Sequence, residues 1–137
     1  MIVSAKGRYA LRVMIVLAAR GKGEPVPLKE LSDEEDIPHK FLEQIMTELA
    51  KAGLVESARG KNGGYRLTRP ASDYTAAEIL RVTETSFAAA SCTAEEADCP
   101  RAEKCPTLPL WQALDDAVDG VLKKYTLEDL SKGVTLP

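Results

Sequence analysis

The 137-residue sequence predicts a mainly α-helical fold with one small β-hairpin and a long helix near its C-terminal end. Three observations predict it. Apolar residues recur at helical spacing through 6–20, 38–52 and 108–125. Two β-prone runs, 54–58 and 65–68, flank a tip rich in Gly and Asn. Two of the helices are joined at a tight turn around Asp36.

The first helix is expected from about Lys6 to Arg20, with Tyr9, Val13 and Leu17 on one line and Ala10, Met14 and Ala18 beside it. Gly21-Lys22-Gly23 stops it, and Pro25-Val26-Pro27 prevents early resumption. Leu28 to Glu35 reads as a short helix. Asp36 follows, a residue type that tolerates the left-handed conformation. The next helix opens at Pro38 and runs to about Ala52, turning Leu42, Ile45, Met46 and Leu49 inward. Gly53 caps it, and the hairpin comes next. Thr75 to about Thr85 is a further helix opened by a Thr75-x-x-Glu78 capping box. Residues 86–107 show no periodicity, a loop longer than compact domains usually leave without structure. From Leu108 the residues Trp111, Leu114, Val118, Val121, Leu122 and Tyr125 mark one apolar face, and a last short helix starts at Thr126. The organisation expected is a winged helix-turn-helix over 1–85, a cysteine-bearing loop over 86–107, and a pairing helix with its tail over 108–137.

With 45% apolar and 28% charged residues the composition is globular, and no apolar run approaches the roughly 18 residues of a membrane span. The run Val13 to Ala19 behind Lys6, Arg8 and Arg12 mimics an export signal. It lacks a small-residue cleavage pattern and continues a helical stripe upstream, so a first helix in a cytoplasmic protein is expected. The net charge of −3 hides an asymmetry: residues 1–70 carry twelve basic against nine acidic residues, residues 71–137 six against twelve. Such a split is what a chain shows when one part faces a polyanion, although two differently charged solvated surfaces would also produce it.

The polar edge of the 38–52 helix holds His39, Lys40, Glu43, Gln44 and Thr47. A helix in the major groove presents its leading residues to base edges, where Gln pairs with adenine and Glu accepts from the cytosine amino group. Lys40 suits a phosphate. Arg59 and Lys61 at the hairpin tip suit a narrow minor groove. Each feature alone describes an exposed surface; helix, turn, helix and wing in unbroken order predict binding to double-stranded DNA.

All three cysteines, Cys92, Cys99 and Cys105, lie in the 86–107 segment at spacing C-x6-C-x5-C, and a proline follows each of the last two. The odd number and the spacing fit neither a disulfide framework nor a structural zinc site. Soft thiolates in this pattern suit an iron–sulfur cluster with one weaker or exchangeable ligand; three free thiols are the alternative. The apolar stripe Trp111, Leu114, Val118, Val121 and Leu122 exceeds what a small winged helix can cover, which predicts a two-fold partner and a palindromic operator.

These residues resemble the Rrf-type winged-helix regulators over nearly the whole chain. The resemblance is most specific in Ser4-Ala5-Lys6-Gly7-Arg8-Tyr9-Ala10, Phe41-Leu42-Glu43-Gln44, Gly53-Leu54-Val55, Arg59-Gly60 and Gly63-Gly64-Tyr65. The three cysteines followed by Leu110-Trp111 look most like the family's iron–sulfur branch, whereas members that govern cysteine metabolism lack those cysteines. The resemblance implies a homodimer joined through the long helix and a cluster held by the segment before it, of two-iron two-sulfur type or alternatively four-iron four-sulfur. It carries DNA recognition onto Glu43, Gln44 and Arg59, and by position onto Lys40 and Phe41; the place of Glu43 is implicated in discriminating operator classes. Two departures stand out. Where the iron–sulfur branch typically has a ligating His, this chain has Leu108, and where nitric-oxide-sensing members have an N-terminal acid it has Arg8. Asp98, Glu103 or a small external molecule remain as fourth-ligand candidates.

The expected function is a dimeric transcription regulator sensing iron–sulfur status and controlling iron–sulfur assembly or sulfur metabolism genes. The alternatives are a cluster-free regulator of cysteine metabolism that responds to thiol chemistry or a partner enzyme, a nitric-oxide sensor, and, from another class, a small electron-transfer protein. No nucleophile–base pair or phosphate-binding Gly loop is present in the sequence, so an enzyme is not expected.

Overall fold

A computed structural model describes residues 3–20 and 23–133. The predicted stop at Gly21-Lys22 and the last residues of the expected tail, 134–137, lie outside them. Helix α1 spans Ala5–Arg20 and buries Ala10, Val13, Met14 and Leu17 of its predicted stripe together with Val16 beside it, while Tyr9 and Ala18 are half-covered. Ser4 caps it, the hydroxyl accepting from the Gly7 N–H at 3.1 Å.

Helices α2 (Leu28–Glu35) and α3 (His39–Lys51) form the helix-turn-helix. The turn works as its residues foretell. Asp36 sits in the left-handed region at φ 53°, Ile37 drops into the core, and the Ser32 hydroxyl donates to the Ile37 carbonyl at 2.5 Å. Leu42, Ile45, Met46 and Leu49 of α3 are all fully buried. Gly53 follows at φ 77° and ends the helix, and the chain turns into the wing.

Strands β1 (Val55–Ala58) and β2 (Gly64–Leu67) pair antiparallel, with Val55 opposite Leu67 and Ala58 opposite Gly64. The sequence did not foretell a third strand contact. Val26, held extended between two prolines, exchanges backbone hydrogen bonds with Tyr65 at 2.8 and 2.9 Å and ties the wing to the helices. Gly64 makes room for it, because a Cβ there would lie 2.2 Å from the Val26 carbonyl oxygen.

Helix α4 (Ala76–Thr83) ends two residues before the predicted Thr85. The Thr75 hydroxyl accepts from the Glu78 N–H at 3.2 Å, but the capping box stays half-formed because the Glu78 carboxylate turns to Arg69 at 2.6 Å. In the 86–107 segment, 3-10 turns form at Ser91–Thr93 and Ala102–Lys104. These local i to i+3 bonds are compatible with many sequences and leave no period to read.

Helix α5 (Leu108–Lys124) buries none of its residues, and α6 (Leu127–Ser131) returns to the head. Leu127 is fully buried in the same core as α1 and α3, and its N–H donates to the Tyr74 carbonyl at 2.9 Å. Thr126 and Asp129 close a complete capping box on α6. The C-terminal stretch from Thr126 to Gly133 therefore packs with the helix-turn-helix core rather than extending α5. Among the described residues no helix is long and apolar enough to cross a membrane.

The single apolar face predicted for α5 is in fact two adjacent lines. Trp111, Val118 and Leu122 are half-covered, whereas Leu110, Leu114 and Val121 stay 59%, 45% and 55% exposed. Polar contacts fix this rotation: Asp119 meets Arg81 of α4, and Asp115 accepts from the Ala89 N–H at 2.6 Å.

Candidate DNA-reading surface and cysteine segment

On α3, burial of the four apolar residues turns His39, Lys40, Glu43, Gln44 and Thr47 to solvent. The Thr47 hydroxyl donates to the Glu43 carbonyl at 2.8 Å, a bond to the helix backbone, and among the described residues the Glu43 carboxylate has no partner. Phe41 differs from its neighbours. It is half-buried and meets Tyr9 of α1 edge-to-face, with ring centroids 5.6 Å apart, so it braces the reading helix from behind.

Arg59 and Lys61 stand exposed at the wing tip. Gly60, at φ 107°, turns the chain, and a Cβ on Gly63 would lie 2.4 Å from the Ala58 carbonyl oxygen. Ion pairing separates two kinds of cation in the head. Lys6, Arg12, Arg20, Arg66 and Arg69 each pair with a glutamate, the closest at 2.5–3.3 Å. Among the described residues Lys40, Arg59 and Lys61 have no such partner. Arg8, Lys29 and Lys51 are likewise exposed without such a partner among the described residues, so the unpaired cations are spread over α1, α2, α3 and the wing. Lys40, Arg59 and Lys61 are those on the leading end of α3 and the wing tip, where a phosphate backbone would meet them.

Cys92, Cys99 and Cys105 are half-exposed free thiols. Cys92 lies inside the first 3-10 turn, and Cys105 immediately follows the second. The donor chemistry fits an iron–sulfur cluster: three soft ligands on one short segment, open to incoming iron. Among the described residues no three His, Cys, Asp or Glu side chains converge closely enough to hold a metal, so loading would have to draw the thiols together. Nothing in the spacing of the cysteines could have shown that separation, because it depends on how the turns between them fold.

Cys105 has a particular environment. The Thr107 hydroxyl lies 3.2 Å from its sulfur, and hydrogen bonding by that hydroxyl and by the Thr107 and Leu108 amides pulls its pKa down, against a small opposing effect of burial. A lowered pKa means that thiolate persists as pH falls. Iodoacetamide labelling of Cys105, followed by peptide mass spectrometry against pH, is expected to reach half-maximal rate at a lower pH than an unstructured peptide carrying the same cysteine. Thr107→Val should move that midpoint upward; a midpoint unchanged by the substitution would show that the hydroxyl does not act on the thiol.

Helix, turn, helix and a wing held against the core, with free cations on the two projecting edges, define a winged-helix DNA-binding protein. The sequence matches the family described as "Rrf2: Iron-dependent Transcriptional regulator" over residues 3–133, and the chain belongs to that family of transcription regulators. It is 38% identical over 130 residues to the HTH-type transcriptional regulator IscR of Photorhabdus laumondii, covering 95% of this chain and 79% of that one. Its fold is similar to that of T. potens IscR, with TM-score 0.79, 32% identity and 98% of this chain and 89% of that one covered. It is equally similar to CymR, the global cysteine regulator of B. subtilis, with TM-score 0.79, 36% identity and 98% and 99% covered. Family membership agrees with the expectation of a regulator rather than an enzyme.

Proposed function

We propose that this chain is a homodimeric transcription regulator that reads a palindromic operator and senses iron–sulfur status through residues 86–107. The observation that carries the reading is the placement of all three cysteines on the segment that joins the reading head to α5 and its exposed apolar line. Cys92, Cys99 and Cys105 would hold the cluster, of two-iron two-sulfur or four-iron four-sulfur type, and the group would supply a redox- and iron-dependent restraint on that segment. Genes of iron–sulfur assembly or sulfur metabolism are the targets this reading expects. In each head His39, Lys40, Glu43, Gln44, Arg59 and Lys61 face the duplex, with Phe41 supporting them from the inner side. Leu114 and Val121 lie at the centre of the seam between protomers, with Leu110 added to the residues expected from sequence; Trp111, Val118 and Leu122 flank it.

Anaerobic reconstitution with ferrous iron and sulfide tests the cluster. A brown protein with thiolate-to-iron absorption and a changed operator footprint supports the reading. A colourless product removes the cluster, and an identical footprint in both states removes the sensing. A second reading, a thiol-responsive regulator without a cluster, is favoured by the lowered pKa of Cys105 and by the similarity to CymR. It expects oxidation to alter operator affinity in iron-free protein.

DNA binding itself is expected to weaken steeply with salt. Arg59→Ala should cost about tenfold in operator affinity and reduce the salt slope by about one. Affinity and slope measured across a salt series check both, and an unchanged slope would remove Arg59 from the interface.

A further inference from the structure

The residue that leads from α4 into the cysteine segment is Glu84, and its side chain reaches the start of α1. Its Oε1 accepts from both the Ser4 N–H at 3.1 Å and the Ser4 hydroxyl at 2.6 Å. The same Ser4 hydroxyl caps Gly7. Gly7 is buried, and a Cβ on it would sit 2.2 Å from Glu84 Oε1 and 3.1 Å from Leu80 Cδ2. The absence of a side chain at position 7 is therefore what admits the carboxylate. The first turns of α1 also grip the reading helix. Lys6 Nζ bonds Glu48 of α3 at 2.6 Å, and Tyr9 meets Phe41 edge-to-face. One short stretch of α1 thus touches the root of the cysteine segment and the back of the DNA-reading helix.

We propose that Glu84 is a positioning residue for DNA recognition, passing the state of the cysteine segment to α3 through Ser4 and the first turns of α1. This rests on the reading of α3 as the DNA-contacting helix and of residues 86–107 as the sensing segment. A change in the segment pulls on the chain two residues after Glu84; Glu84 moves Ser4, and Lys6 and Tyr9 carry that movement to Glu48 and Phe41. A rigid helix can transmit such a shift because its packed contacts hold discrete arrangements.

The test compares full-length wild type with Glu84→Ala, Glu84→Gln and Gly7→Ala. Operator affinity and amide hydrogen exchange are measured iron-free and after reconstitution with ferrous iron and sulfide. In Glu84→Ala and Gly7→Ala, exchange of the amides of residues 42–45 should rise about tenfold in the iron-free protein. In the same two variants the affinity ratio between the two states should collapse towards one. Glu84→Gln, which keeps an acceptor oxygen, should retain most of the wild-type ratio. Variants that respond to loading like wild type, or exchange changes confined to residues 4–9, would make Glu84 a local cap and overturn the proposal. If wild type shows no difference between states, the sensing reading fails and the exchange at residues 42–45 alone decides on Glu84. If a variant does not fold, Ser4→Ala weakens the same link without inserting bulk, removing the 2.6 Å hydroxyl bond and leaving the Ser4 N–H bond, and is judged by the same two measurements for a partial effect.

Discussion

Tyr74→Phe is expected to destabilise the protein by about 3 kcal/mol, seen as a fall in Tm of about 10 °C. Tyr74 is fully buried, and its hydroxyl is the meeting point of three chain segments. It donates to the Leu54 carbonyl at 2.7 Å and accepts from the Thr68 and Arg69 N–H groups at 2.9 and 3.1 Å. Phenylalanine fills the same space and keeps the face on which the Arg69 guanidinium rests, 4.3 Å from the ring centroid. Packing is thus conserved while two N–H groups lose their partner and the Leu54 carbonyl keeps only the Thr68 hydroxyl at 3.5 Å, each a cost of about 1 kcal/mol or more where water cannot replace it. Leu54 leads into β1, and Thr68 and Arg69 follow β2, so both roots of the wing loosen together. Operator affinity should fall with stability, which thermal melts and binding measured well below the melt can separate. A Tm within about 2 °C of wild type would mean that water enters and satisfies these groups.

Leu114→Glu combined with Val121→Glu is expected to turn the proposed dimer into a monomer and to lower operator affinity by about 100-fold or more. Leu110, Leu114, Ala117 and Val121 recur at spacings of four, three and four, the repeat that brings one helix line against another. Leu114 and Val121 are 45% and 55% exposed in the single chain, so carboxylates there are solvated and the protomer itself should melt almost unchanged. In a paired α5 they would be buried without partners. The affinity loss follows from geometry: two linked heads bind two half-sites at high effective concentration, and a single head does not. Sedimentation equilibrium and operator titration check the two effects separately. A variant that remains dimeric would place the seam elsewhere.

The elements that were legible in the sequence are those stabilised by neighbours close along the chain. The 3.6-residue period of α1 and α3, the left-handed Asp36, the Gly53 stop and the Thr126 cap all depend on residues within a turn or two of each other. The polar edge of α3 was legible for the same reason, because burying Leu42, Ile45, Met46 and Leu49 leaves one direction for Glu43 and Gln44. Phe41, placed on that edge by position, is half-covered there. Its position beside the polar residues is a property of the helix, but its cover is Tyr9, more than thirty residues earlier.

The sequence by itself determined the class of fold, the order of helix, turn, helix and wing, the polar edge of α3 and the gathering of all three cysteines between α4 and α5. Only the tertiary structure decided which cations remain free, that Val26 anchors the wing, that Tyr74 ties three segments together and that α5 carries two apolar lines instead of one. The physical reason is range. Helical period, caps and turns are set by a few adjacent dihedral angles and side chains, whereas ion pairs, buried hydroxyls and the rotation of a half-covered helix depend on partners that folding alone brings within a few ångströms.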